Sequence, residues 1–201
     1  MIINNKTMPK LIVLNNKNRK IIPILLIFEL AFIFFPHSDS KAYTYGGQKW
    51  SNGKAGYYLD IAGWDPTLIV YPAHTWNDAG SPFRFNFKGH NIYHDRDGKN
   101  TVTRFTMNNS RPAETRLRWN GNSLSEADVV FNMRYGWGCC GEPNLYDVKN
   151  AMTHEFGHWL VLLDQNNPWD YWDTMYKTTY PGETRKRTLH SDDRNGINYI
   201  Y

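Results

Sequence analysis

Apolar positions change their spacing along this 201-residue chain, and each change predicts an element. Residues 21–35 are apolar except for Pro23 and Glu29. Residues 43–61 are aromatic and punctuated by glycine; Gly56-Tyr57-Tyr58-Leu59-Asp60-Ile61 within them predicts one or two short strands. Asp65-Pro66 predicts a helix start, with Asp65 as N-cap and Pro66 at the first helical position. That helix runs to about residue 78, stops before Gly80-Ser81-Pro82 and buries Leu68, Ile69 and Trp76. Phe83-Arg84-Phe85-Asn86-Phe87 alternates as a half-buried strand does. A turn over 94–100 leads into a strand through Val102 and Phe105, and 127–132 predicts another. Residues 136–143, rich in glycine and holding both cysteines, predict an irregular loop. Asp147 then caps a helix over 148–163, and a last helix follows Ser191-Asp192-Asp193, whose carboxylates suit a helix N-terminus. Strands with one early helix, then two late helices, read as α+β rather than alternating βαβ.

The apolar run at 21–35 follows Lys10, Lys17, Arg19 and Lys20, and Ser40-Lys41-Ala42 offers small residues at the −3 and −1 positions of a cleavage site. Fifteen residues with a carboxylate among them are too short and too costly for a comfortable membrane span. Residues 1–42 therefore read as a signal peptide, and 43–201 as one secreted, extracellular domain without stable membrane association. The cut also changes the charge. The chain has 23 Lys+Arg and 19 Asp+Glu, and residues 1–42 take six basic and two acidic residues with them. That leaves 17 of each sign and no electrostatic case for nucleic acid as a partner. The adjacent Cys139 and Cys140 cannot staple distant segments, so the fold must stand on its core.

Chemistry concentrates in the helix after Asp147. His154-Glu155-Phe156-Gly157-His158 puts two imidazoles at i and i+4, on one face, where both reach one ion. Glu155 lies about 100° round the helix from His154, beside such an ion, as a base for water should. A catalytic zinc of this type takes three protein ligands and keeps a position open. Asp164, Asp170, Glu183 and His190 are the downstream options for the third.

These residues resemble the metzincin zinc peptidases and, within them, the matrixins, whose pattern is HExxHxxGxxH, with aspartate last in some members. His154, Glu155 and His158 match it, and Asp164 stands at the final ligand position. Val161 departs from it, standing where the family has a glycine and where a β-branched residue tolerates positive φ poorly. Asp173-Thr174-Met175-Tyr176 looks like the family's methionine turn, with Met175 as an apolar floor beneath the metal. Residues 188–201 resemble the closing matrixin helix, in which Asp192 or Asp193 would brace that turn. Lys177 stands where astacin and serralysin relatives carry a tyrosine ligand, and Tyr180-Pro181 where the family forms a substrate-pocket wall. No Pro-Arg-Cys-Gly stretch precedes the domain, so the resemblance does not extend to a cysteine-switch propeptide. The resemblance implies a metzincin-like zincin fold: a twisted mixed sheet with an N-terminal helix, an active-site helix and a C-terminal helix. It implies one catalytic Zn2+ and hydrolysis of internal peptide bonds in a protein or peptide substrate by a monomer, with Glu155 as general base. The alternative is a secreted zinc-containing binding or adhesion module of the same fold without turnover. Glu155 favours the enzyme, because a structural site needs no base and closes with a fourth protein ligand.

Two further groups bear on metal and surface. His90, His94, Asp95 and Asp97 leave a structural Ca2+ or a second Zn2+ open, but their spacing fits an EF-hand poorly and solvated turn residues better. Arg116-Leu117-Arg118-Trp119 and Arg185-Lys186-Arg187 read as ordinary basic surface.

Overall fold

Ala55, Tyr57 and Leu59 are buried and alternate with less buried neighbours, so Lys54–Asp60 (β1) forms a strand with one face inward. The computed structural model describes residues 43–201, and the signal peptide read at 1–42 lies outside the described residues. After β1, the Asp65 carboxylate accepts the Thr67 amide hydrogen at 2.9 Å and starts the helix Thr67–Asn77 (α1). This helix returns the chain so that Arg84–His90 (β2) lies parallel to β1. The three elements make a βαβ unit, a parallel opening that corrects the expectation of no such unit. Thr101–Phe105 (β3) pairs parallel with the other side of β1, and Ser123–Asn132 (β5) pairs parallel with β3. Ala113–Asn120 (β4) closes the sheet antiparallel to β5, giving the order β2-β1-β3-β5-β4. The sheet is mixed and mostly parallel.

Strand β4 has no counterpart among the elements expected from sequence. Its pattern, Ala113, Thr115, Leu117 and Trp119 between Glu114, Arg116 and Arg118, is a strand's. Arg116 and Arg118 are not idle surface either. The first pairs with Glu114 at 2.7 Å, and the second contacts Asp95.

Helix Val148–Trp159 (α2) and α1 cover the sheet. Ile69, Ala73 and Trp76 of α1 meet Met152, Phe156 and Trp159 of α2 in one core with Tyr57, Phe85 and Phe131 of the sheet. Phe156 lies 4.4 Å from Phe85 and 5.5 Å from Tyr57, ring centre to ring centre. Two of the tryptophan N–H groups buried with these rings are satisfied, while that of Trp159 has no hydrogen-bond partner among the described residues. Trp76 Nε1 donates to the Thr153 carbonyl at 2.7 Å, and Trp50 Nε1 to the Trp159 carbonyl at 2.9 Å. Among the described residues, no helix is long and apolar enough to cross a membrane.

The region expected to be wholly irregular holds a short ladder, Trp137–Gly138 (β6) parallel to Tyr146–Asp147 (β7). Beside it Cys139 and Cys140 are joined in a vicinal disulfide. Asp147 caps α2 by accepting the Asn150 amide hydrogen at 2.9 Å. Arg187 bonds both that carboxylate, at 2.9 Å, and the Cys139 carbonyl, at 2.7 Å, so the disulfide loop is tied to the start of α2.

At its far end α2 stops at Trp159, four residues before the predicted limit. The Leu162 amide donates to the Gly157 carbonyl at 3.1 Å and the Val161 amide to the His158 carbonyl at 2.8 Å. This six-to-one plus five-to-two pair is a Schellman ending, which requires a left-handed residue at Val161. Val161 has φ 59°. A non-glycine residue there costs roughly 1–2 kcal/mol. Val161 is only 4% exposed, and burying a valine side chain contributes roughly 1.5–3 kcal/mol, enough to offset that cost. The N-terminal segment supplies the burial. The Gly46 amide donates to the Val161 carbonyl at 2.9 Å and the Leu163 amide to the Thr44 carbonyl at 2.8 Å. A Cβ on Gly46 would lie 2.6 Å from Val161 Cγ1, so glycine is what lets this segment close over the valine. The last helix, Ser191–Ile200 (α3), makes similar room on the other side, where a Cβ on Gly196 would lie 2.9 Å from a Leu162 methyl.

This contact predicts a coupling. Gly46→Ala should destabilise the fold by roughly 1–3 kcal/mol through overpacking. In a Val161→Gly background most of that cost should vanish, because the clashing methyl is gone. Urea denaturation of the four proteins measures it, and equal costs in both backgrounds would mean the two residues do not meet.

Candidate metal centre

His154 and His158 project from one face of α2 one turn apart, with ring centres 4.7 Å apart. Each ring is aimed by a backbone carbonyl. His154 Nδ1 lies 2.7 Å from the Thr174 oxygen, and His158 Nδ1 lies 2.7 Å from the Leu162 oxygen. A carbonyl only accepts, so both Nδ1 atoms carry a proton, and in the neutral rings both Nε2 atoms keep their lone pairs. The left-handed turn at Val161 brings the chain back so that Asp164 faces those lone pairs. Asp164 Oδ1 is 3.3 Å from His154 Nε2 and 3.6 Å from His158 Nε2. Burial would raise the Asp164 carboxyl, but the two imidazoles hold it far below the usual carboxylate range. Burial lowers His154; at His158 burial is outweighed by Asp164 and Glu155, which raise it.

The three donor atoms lie within 4.8 Å of one another. A tetrahedral ion with bonds of ~2.0–2.2 Å needs ligand atoms ~3.3–3.6 Å apart, which the two measured separations match. Two imidazoles and one carboxylate suit zinc, and carbonyl bonds to the far ring nitrogens are the usual support for such ligands. The residues fit the metal. Of the other ligand options, Glu183 is engaged by Arg185 at 3.2 Å and His190 begins α3; neither joins the cluster, nor does Asp170.

Met175 packs against α2 at Gly157, between the two histidines in sequence. A Cβ on Gly157 would come 2.2 Å from Met175 Sδ, so the glycine inside the histidine motif makes room for the methionine. The turn carrying Met175 is fixed from two sides. The Gln165 amide donates to the Met175 carbonyl at 2.9 Å, and Asp193 Oδ2 accepts from the Thr174 amide at 3.0 Å. Of the two aspartates considered for the brace, Asp193 makes it. Asp192 accepts instead from Gln165 Nε2 at 2.7 Å and from the Tyr43 amide at 2.9 Å.

Glu155 is 6% exposed and lines an open cleft of about 640 Å³ together with His154, His158 and Asp164. Its Oε2 accepts from the Thr115 hydroxyl at 2.6 Å. Thr115 sits on β4, the strand absent from the sequence reading, which is why it went unnoticed. Lys177, Thr178, Thr179 and Lys186 also line the cleft. Tyr180 and Pro181 do not line this cleft, and Tyr180 is largely exposed. Lys186 corrects the reading of Arg185-Lys186-Arg187 as plain surface. It is 1% exposed, and burial pulls its ammonium down to about 8.

His90, His94 and Asp97 do not gather with Asp95 into a metal-ligand cluster among the described residues. Asp95 meets Glu126 and Asp128 rather than His90, His94 and Asp97, and Arg118 lies against Asp95 and Glu126.

No protein-family model matches the chain, and no curated protein matches it. Among solved structures it is similar to high choriolytic enzyme 1, a hatching enzyme zinc-protease from the medaka fish Oryzias latipes, at 13% identity and a TM-score of 0.40. The likeness covers 76% of this chain and 92% of that one, and is too slight to bear on chemistry.

The donor geometry predicts which acid matters. Asp164→Ala should weaken zinc binding by about 100-fold or more, exceeding the ~10–100-fold typical of losing a supporting partner. Asp170→Ala and Glu183→Ala should bind zinc as the wild type does. Competition against a chromophoric chelator measures all four proteins; an Asp164→Ala affinity equal to wild type would remove Asp164 from the site.

Proposed function

We propose that the chain is a zinc-dependent endopeptidase of metzincin type, matrixin-like in its lack of a tyrosine ligand, exported by the segment at 1–42 and acting outside the cell as a monomer. The observation that supports this most is the meeting of His154, His158 and Asp164 at one point in an open cleft, with the Glu155 carboxylate beside them. His154 Nε2, His158 Nε2 and Asp164 Oδ1 would hold the ion. Bound there with one position open, zinc supplies a Lewis acid that polarises a carbonyl and makes water more acidic.

The chain's own groups do the rest. Glu155 takes the proton of the attacking water on one carboxylate oxygen and delivers it to the departing amine, which must be protonated to leave. The Thr115 hydroxyl fixes the other oxygen, so the carboxylate need not search for its orientation. A carboxylate in place of a third imidazole leaves the ion a weaker Lewis acid, which puts more of the burden on this aligned base. The edge strand β4 runs along the cleft and has β5 on one side only. An extended peptide can add to its free edge through backbone hydrogen bonds, which favours protein or peptide substrates over compact small molecules.

Loss of the base gives the direct test. Glu155→Ala should lower the rate of casein-type cleavage on the order of 10²–10⁴-fold while zinc content stays at one ion per chain. Thr115→Val should lower kcat more than it raises KM, since it disturbs alignment rather than binding. Cleavage by Glu155→Ala at the wild-type rate would sink the mechanism.

A further inference from the structure

Lys186 is a costly residue to bury. An ammonium has three N–H donors, and taking one out of water without a compensating anion is among the most unfavourable events in a protein interior. Here the ammonium donates to the Tyr176 carbonyl and, among the described residues, forms no ion pair. The carboxylates nearby in sequence are already taken. Glu183 pairs with Arg185 at 3.2 Å and accepts the Tyr180 amide at 3.3 Å, while Asp147 holds Arg187 and caps α2. Glu183, Asp164 and Glu155 bear on its charge without bonding to it, so Lys186 keeps unused donors, and its side chain forms part of the cleft that also contains Glu155 and His154.

The rim points the same way. Lys177 adds a cation to the lining, whereas Arg111 there is paired with Glu114 at 3.6 Å. Glu114 is itself paired with Arg116 at 2.7 Å. We propose that Lys186 is a specificity-determining residue, and that the cleft selects peptides presenting a glutamate or aspartate side chain to its ammonium. Such a carboxylate would meet an ammonium that is itself buried, where a charge-assisted hydrogen bond is strong. The uncharged amide isostere would fill the same space without relieving the ammonium. Discrimination between the two should reach about tenfold or more.

This inference rests on the peptidase reading, and the test separates the two. The purified protein is given a randomised peptide library, and the products are sequenced by mass spectrometry. Enrichment of Glu and Asp at one position near the cut is expected, and a matched Glu/Gln peptide pair should differ by about tenfold or more in kcat/KM. In Lys186→Gln, which keeps a donor for the Tyr176 carbonyl, that ratio should fall toward one; Lys186→Arg, which keeps the charge, should retain a preference. Cleavage with no acidic preference at any position overturns the proposal and leaves the peptidase reading standing. Binding of the same labelled pair to Glu155→Ala, by fluorescence anisotropy, covers the converse. A Glu-over-Gln preference there, without cleavage by the wild type, supports Lys186 and overturns the enzyme. Equal binding of both peptides overturns Lys186.

Discussion

A left-handed backbone at Val161 is the constraint on which the candidate site depends. Helix α2 presents His154 and His158 from consecutive turns, and a helix continued past Trp159 would carry Asp164 away from them. The Schellman ending reverses the chain within two residues and returns the carboxylate to within 3.6 Å of both imidazoles. Glycine would make that turn at no steric cost. This chain uses valine, and offsets the strain by burying it beneath the segment from Thr44 to Gly46. The N-terminal stretch of the described domain is thus coupled to the candidate metal site through one backbone torsion.

The same economy of contacts holds the histidines. Their carbonyl partners come from two different pieces of chain, the turn at Thr174 and the helix exit at Leu162. Asp193 fixes the first of these from α3, and the left-handed turn fixes the second. Gly157 lets Met175 pack against the helix between the two histidines, so the floor and the ligands share one contact. Each candidate donor is aimed by a neighbour that is itself held by another element, which keeps the three side chains in place without a disulfide between them.

Local chemistry explains which parts of this were legible in the sequence. The i, i+4 histidines, the intervening glutamate, the Asp147 cap and the Asp65-Pro66 start are all set by short-range rules. Helix α2 begins where its cap puts it, whereas α1 begins at Thr67 with Pro66 rather than Asp65 at the cap position. Helix α3 takes in Ser191, Asp192 and Asp193 rather than following them. The helix exit was harder, because a β-branched residue argues against positive φ and the compensation comes from Gly46, more than a hundred positions away. Strand β4 was obscured because arginines on its polar positions look like surface, although its alternation was present. Lys186 was hidden for the opposite reason. A run of three basic residues reads as solvated, and only tertiary packing decides that the middle one is buried. Asp164, Asp170, Glu183 and His190 could not be told apart by residue chemistry, since each offers a legitimate ligand atom. The turn decides which of them faces the two lone pairs.

Zinc K-edge X-ray absorption on the zinc-loaded protein tests the central claim most directly, because it reads the ligands rather than their consequences. The account predicts a shell of nitrogen and oxygen at ~2.0–2.2 Å, with scattering from two imidazole rings and no sulfur. A sulfur shell at ~2.3 Å would place the ion instead at Cys139 and Cys140 with their disulfide reduced, beside Glu142. That result, or scattering from a third imidazole, would contradict the site built by Val161.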